Sequence, residues 1–165
     1  MQSIRPCLWC TNDAEEMMNF YTSVFHDAKV LDTSRYGSGA PVPEGTLLTA
    51  VIELQGQELM LLNGGDNPNA GRTQAVSFVV NVDSQDEVDG LWERLTAGGE
   101  PGPCGWLTDK FGVSWQIVPR ALLEVLTDPD PEKAGRAMQA MLTMSKIDIA
   151  ELRRAHSGAG VPASA

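Results

Sequence analysis

The side chains that invite a chemical reading are few: Cys7, Cys10 and Cys104, His26 and His156, and the pair Asp109-Lys110. Cys7-Leu-Trp-Cys10 has the CxxC spacing of redox and zinc sites. A redox pair sits at a helix N-terminus, where the dipole lowers the thiol pKa, and a zinc site usually needs a second pair. Here the run from Ile4 to Cys10 reads as a strand, residues three apart on a strand point to opposite faces, and no second CxxC exists. Cys104, between Pro103 and Gly105, has only Lys110 as a nearby cation. His26 and His156 each end a helical pattern, where positive charge is favoured, and both read as structural or solvated. No Ser-His-Asp or Cys-His set assembles, so no catalytic residue is assigned. Asp109-Lys110-Phe111-Gly112 reads as a hairpin tip whose charged pair is exposed and of little energetic weight.

The elements that must position these residues come from an internal repeat. Pro6 to Asp13 precedes a helical pattern of Ala14, Met17, Met18, Tyr21, Val24 and Phe25; shifted by about 71 positions, Ser77 to Ser84 precedes Val88, Leu91, Trp92 and Leu95 at the same spacing. Asp13 with Glu16 and Ser84 with Glu87 both read as capping boxes, and Trp92 and Trp115 as core. Extended runs follow each helix: Lys29–Tyr36, Leu47–Leu54 and Glu58–Leu62, then segments around Trp106 and Ser114–Val118. Gln55-Gly56 reads as a tight hairpin turn, with Phe111-Gly112 in the matching place. Each half is thus strand, helix and about three strands, too small to bury its own sheet face alone. Three helical segments follow: 120–126; one opened by Asp130 and Pro131 with Ala134, Ala137, Met138, Met141 and Leu142 as its apolar positions; and 148–155, with Asp148 and Glu151 as another capping box. The expected organisation is paired modules over 1–120 (about 1–66 and 74–120), C-terminal helices of the same domain over 121–156, and a flexible tail over 157–165.

Composition narrows the partners. The chain has 165 residues, 22 acidic against 12 basic, for a formal net charge of −10. That charge repels phosphate backbones and anionic membranes, which argues against nucleic acid and membrane partners. There is no apolar run long enough to span a bilayer, and the first residues lack a signal-peptide pattern. With an odd number of cysteines and no disulfide framework, the reading is a cytoplasmic protein.

Two βαβββ units in tandem resemble the vicinal oxygen chelate superfamily of glyoxalases, extradiol dioxygenases and drug-binding resistance proteins. Trp9, Ala14-Glu15 with Phe20-Tyr21, Arg35-Tyr36, Asn63-Gly-Gly65, Ser77-Phe78, Glu87-Val-Asp89 with Trp92 and, most specifically, Cys104-Gly-Trp-Leu-Thr-Asp-Lys-Phe-Gly-Val-Ser-Trp-Gln-Ile-Val-Pro119 resemble its PhnB-like branch, labelled 3-demethylubiquinone-9 3-methyltransferase. The resemblance runs from about Ile4 to His156. It implies an α+β fold: two βαβββ modules in a curved eight-stranded mixed sheet, with a C-terminal helical extension.

The resemblance also implies where superfamily enzymes hold a metal, at positions that fall on Pro6, Met60, Ser77 and Gln116. Proline has no side-chain donor, methionine offers a soft thioether, and neutral serine and glutamine are weak ligands for a divalent cation. No metal and no cofactor are therefore expected. A methyl-donor site would need a Gly-rich turn between a strand and a helix. The only candidate, Leu61 to Ala70, leads through Pro68 towards another strand, and its glycines read as a plain turn. The expected site is instead a metal-free cleft for a small, partly apolar ligand, lined by Trp9, Tyr36, Met60, Ser77, Cys104, Trp106 and Gln116. Binding or sequestration is the favoured function; a metal-independent isomerase, lyase or transferase is the alternative. The resemblance and the Met-rich extension also suggest a homodimer.

Overall fold

The computed structural model describes residues 4–67 and 74–159. The chain divides into two compact units, residues 1–71 and 72–165, and each contains one copy of the repeat. In the first, β1 (Cys7–Cys10), α1 (Ala14–Val24), β2 (Lys29–Arg35), β3 (Leu47–Leu54) and β4 (Gln57–Asn63) follow in order. The strands form one mixed sheet in the order β1-β4-β3-β2, with β1 parallel to β4 and the other pairs antiparallel. Alternation assigns the faces: Ala50, Ile52, Leu54, Leu59 and Leu61 are buried on the side where α1 buries Met17, Tyr21 and Val24. Burying each large apolar side chain stabilises the unit by roughly 1.5–3 kcal/mol. Gln55 and Gly56 both have left-handed φ values, 50° and 83°, as a tight hairpin between right-twisted strands requires.

The second unit repeats the plan with β5 (Phe78–Val82), α2 (Gln85–Thr96), β6 (Glu100–Pro101), β7 (Trp106–Thr108) and β8 (Ser114–Pro119), in the sheet order β5-β8-β7-β6. The parallel pair, β5 with β8, again joins first and last strands. The expected α+β architecture is therefore present as two βαβββ units, each with its own four-stranded mixed sheet. The helical extension comprises α3 (Arg120–Leu126), α4 (Pro131–Leu142) and α5 (Ile149–Ser157). Leu122, Ile147 and Leu152 form its core, with Val118, Leu126, Met141 and Met144 packed around them.

Several local expectations need correction. The first strand begins at Cys7, and Ile4 is 99% exposed. Asp13 makes no capping bond to α1; its Oδ1 accepts from the Thr11 N–H at 2.9 Å, closing a local turn. The Ser84–Glu87 box forms in full, whereas Asp148 caps α5 while Glu151 turns to Arg154 at 2.6 Å. Trp92 is half-buried, because Val88 and Leu95 define the buried line of α2 and Trp92 lies at its margin. On α4 only Ala137 is fully buried, and Met138 and Leu142 are exposed. Helix α5 extends through Ser157 and closes on Gly158 at φ 78°; residues 160–165 of the expected tail lie outside the described residues.

Candidate functional site

On β8 the alternation separates two kinds of residue. Trp115, Ile117 and Pro119 are buried on the α2 side, Phe78 packing on Trp115 with ring centroids 5.1 Å apart. Gln116 points to the other side. Its direct cross-strand partners are Val79 on β5 and Trp106 on β7, so these three side chains share one face. Ser77, two residues before Val79, joins them: the Gln116 amide Nε2 donates to Ser77 Oγ at 2.9 Å. Both of these polar residues are half-buried, as is Trp106, while Val79 is 52% exposed. The structure thus brings Ser77, Trp106 and Gln116 together within the second unit.

Cys104 serves a neighbouring structural turn. Pro103 O accepts from Trp106 N–H at 3.0 Å across Cys104 and Gly105, whose φ values are 57° and 84°. The Cys104 and Gly105 N–H groups donate to Met144 O and Ser145 O at 2.8 and 2.7 Å, which fastens the helical extension to the β6–β7 connection. A Cβ on Gly105 would also press on Ile147 Cγ1 at 3.1 Å. Cys104 is half-buried in this junction.

Trp9, Tyr36 and Met60 belong to the first unit, and the polar tips of the two aromatics are already used there. Trp9 Nε1 donates to Gly65 O at 2.8 Å and Tyr36 Oη to Asn63 O at 2.7 Å. The Trp9 indole fills the space beside Gly64, where a Cβ would come within 2.1 Å of the ring. The Asn63-Gly-Gly65 turn is thus a seat for Trp9. Met60 lies beside Pro6, whose carbonyl accepts the Met60 N–H at 2.9 Å. The four positions at which the resemblance implies a metal thus lie two in each unit: Pro6 with Met60 in the first, and Ser77 with Gln116, bonded to each other, in the second. Neither pair fits a divalent cation: neither contains a carboxylate or imidazole, and the one hydroxyl already accepts from the amide.

Cys7 and Cys10 fall on opposite faces of β1 as expected. Cys10 is fully buried, with its Sγ 3.9 Å from Met17 Sδ. Cys7 is exposed, and the desolvation it does experience pushes its thiol up, away from the thiolate a redox site needs. His156 Nε2 lies 2.8 Å from Asp128 Oδ2, joining the end of α5 to the α3–α4 connection.

The sequence reading misplaced Asp109 and missed the role of Asn63. Asp109 is not an exposed tip: it is 2% exposed, its Oδ1 accepts from Phe111 and Val113 N–H at 2.9 and 3.0 Å, and its Oδ2 accepts from Trp115 Nε1 at 2.9 Å. Lys110 is exposed, with Nζ 5.0 Å from the Phe111 ring centre. Asn63, also 2% exposed, accepts the Ala14 N–H at 3.0 Å and donates to Leu47 O at 2.7 Å. The available signals were an Asp two and four residues before backbone donors at a Gly turn, and an Asn closing an otherwise apolar strand.

The family model described as 3-demethylubiquinone-9 3-methyltransferase matches residues 2–118. Among solved structures, this chain is 36% identical to a putative 3-demethylubiquinone-9 3-methyltransferase, PhnB protein, from Bacillus cereus, with TM-score 0.64 over 72% of this chain and 99% of that one. Protein PA1353 from Pseudomonas aeruginosa is 22% identical with TM-score 0.58, over 72% of this chain and 98% of that one. The fosfomycin resistance protein FosX from Listeria monocytogenes, complexed with Mn(II) and sulfate, shares the fold at 19% identity and TM-score 0.52, over 70% of this chain and 89% of that one. No curated protein matches.

Proposed function

Because the chain belongs to the PhnB-like 3-demethylubiquinone-9 3-methyltransferase family, within the vicinal oxygen chelate superfamily, we propose that it binds a small, partly apolar organic ligand without a metal. The observation that carries this is the Gln116–Ser77 pair beside Trp106 on the face of β8 turned away from α2. An aromatic wall with a few oriented, uncharged polar groups suits recognition, and nothing in the group forms a base–nucleophile pair. Gln116 and Ser77 can orient a carbonyl or hydroxyl but cannot polarise it as a metal would.

The family description supports the alternative, a metal-independent transferase. Against it, the space beside Gly64, in the glycine turn that would have to approach a methyl donor, is filled by the Trp9 indole. A thermal-shift screen of small metabolites and quinones, with a sulfonium methyl donor among them, tests both readings. Ligand-dependent stabilisation without turnover supports binding, whereas methyl transfer to any acceptor establishes the alternative. Gln116→Ala is expected to weaken binding by about 1–3 kcal/mol with the fold intact. If Gln116→Ala and Trp106→Ala both bind as tightly as the parent, the ligand lies elsewhere. We also propose a homodimer, supported by the exposed apolar Leu123, Met138 and Leu142 of the extension. Light scattering that gives the 17.8 kDa monomer mass at micromolar concentration would overturn it.

A further inference from the structure

Building on the ligand-binding reading, we infer that the ligand is neutral and flat and presents an acceptor and a donor side by side, as at the edge of a lactam, a cyclic imide or a primary carboxamide. The hydrogen-bond inventory carries this class. A primary amide has two N–H donors and one oxygen acceptor, and Gln116 uses one N–H on Ser77 Oγ. The amide oxygen and the second N–H remain for a ligand, and Ser77 keeps its own O–H to donate. A C=O beside an N–H meets such a mixed edge with every group paired. A carboxylate or phosphonate has acceptors only, and the Gln116 oxygen would face one of them.

Charge points the same way. No residue of β5, β7 or β8 is charged, so these strands offer no cation to an anionic group. The formal net charge of −10 further disfavours an anion. Desolvating an ionised group here would therefore go uncompensated. Shape is set by Trp106 and Val79, the register partners of Gln116 on either side. An indole flanking an amide favours a planar ring that stacks while its edge pairs. The Val118 end of β8 is taken up by the core of the helical extension, which leaves the stretch around Gln116 for the ligand.

The test uses the full chain and a panel of rings of similar size: 2-pyridone and glutarimide for the proposed edge, benzoate and phenylphosphonate for anions, and toluene for apolar contact alone. Binding is read by nuclear magnetic resonance from the side-chain amide signals of Gln116 and the indole N–H of Trp106. The expected result is that 2-pyridone or glutarimide binds at least about tenfold more tightly than benzoate, and that Gln116→Ala removes most of this preference, the loss of one buried polar partner. Benzoate or phenylphosphonate binding as tightly as the lactam would overturn the ligand class while leaving a binding site at Gln116. Toluene binding the parent and Gln116→Ala as tightly as 2-pyridone does would show an apolar site with no edge recognition. If no ring shifts either signal at millimolar concentration while the amide fingerprint shows a folded chain, both the class and the binding reading fall.

Discussion

In the first unit α1 starts under the side chain of Asn63, which reaches back from the end of β4 across 49 positions; in the second, α2 starts on its own Ser84–Glu87 box. The first unit gathers polar groups around one strand end, where Asn63, Gly64 and Gly65 bond to Ala14, Leu47, Tyr36, Cys10 and Trp9. The second anchors itself locally, through the Ser84 box and the Asp109 clasp over residues 109–115. It then ties itself to the extension: Gln85 donates to Ile147 O and accepts from Ile149 N–H, and Lys146 pairs with Asp89 at 2.5 Å. The repeats thus share a strand order but not the bonds that enforce it. Where the first unit has Pro6 beside Met60, the second has Ser77 beside Gln116, so the oriented polar groups of that position survive only in the second.

Breaking the second unit's clasp should have the largest effect. Asp109→Ala strands two backbone N–H groups and the Trp115 indole N–H in a buried setting, and a destabilisation of about 3–5 kcal/mol is expected, read as a fall in the urea midpoint. Asp109→Asn is not a rescue: with its oxygen kept on Phe111 and Val113, its NH2 faces the indole donor. If Asp109→Asn unfolds at the parent's midpoint, the bond to Trp115 contributes nothing.

The corresponding break in the first unit is Asn63→Ala, expected to cost about 2–4 kcal/mol because the Ala14 N–H and Leu47 carbonyl lose their partner together. Hydrogen exchange distinguishes it from the Asp109 variant. Asn63→Ala should deprotect the first turn of α1 before the rest of the chain, whereas a loss confined to residues 109–115 would contradict the assignment.

These two residues mark where sequence reading stopped. The repeat and the positions of its helices and main strands were legible because periods of 2 and 3.6 record which face is buried, and the Ser84 box was legible because its partners are three residues apart. Asp13 carried the same local signature, yet α1 is capped from 49 positions away, a contact no spacing rule contains. Asp109 was misread because charge beside a Gly turn usually means solvent; its burial follows from Trp115, whose indole needs an acceptor when it packs inward. Within the second unit, register makes Trp106 and Gln116 cross-strand neighbours, and the Gln116 amide reaches Ser77 just before the parallel first strand. Trp9 and Tyr36 have the right residue types for a pocket wall, but their polar tips are bound to backbone carbonyls, a matter of side-chain direction that residue type does not reveal.

A smaller effect is expected at Gly64. Its backbone is not in the left-handed region, so Gly64→Ala tests space alone: the new Cβ would meet the Trp9 indole, and the ring must move. A destabilisation of about 1–3 kcal/mol is expected, the usual range for overpacking, together with a shifted tryptophan emission. An Ala variant as stable as the parent, with unchanged emission, would mean that Trp9 is not seated on the turn.

The smallest effects test the comparison most directly, because they set two residues with the same apparent signature against each other. Ser84 accepts the Glu87 N–H at 3.2 Å, and Glu87 Oε2 accepts the Ser84 N–H at 3.0 Å in return. Ser84→Ala removes the first bond and leaves Glu87 N–H to solvent, so a loss of about 1 kcal/mol is expected, typical of an N-cap. Asp13→Ala removes only the exposed bond to Thr11, since Asn63 already satisfies Ala14, and its cost should be no more than about 0.5 kcal/mol. The double variant should sum the two, because the residues belong to different units with separate partners. In an Asn63→Ala background the ranking should narrow: with the distant cap gone, the Asp13 side chain becomes the nearest acceptor for the freed α1 donors. Asp13→Ala should then cost more than it does alone. If instead Asp13→Ala costs as much as Ser84→Ala in the parent chain, α1 is capped locally after all, and the contrast between the two repeats fails at its root.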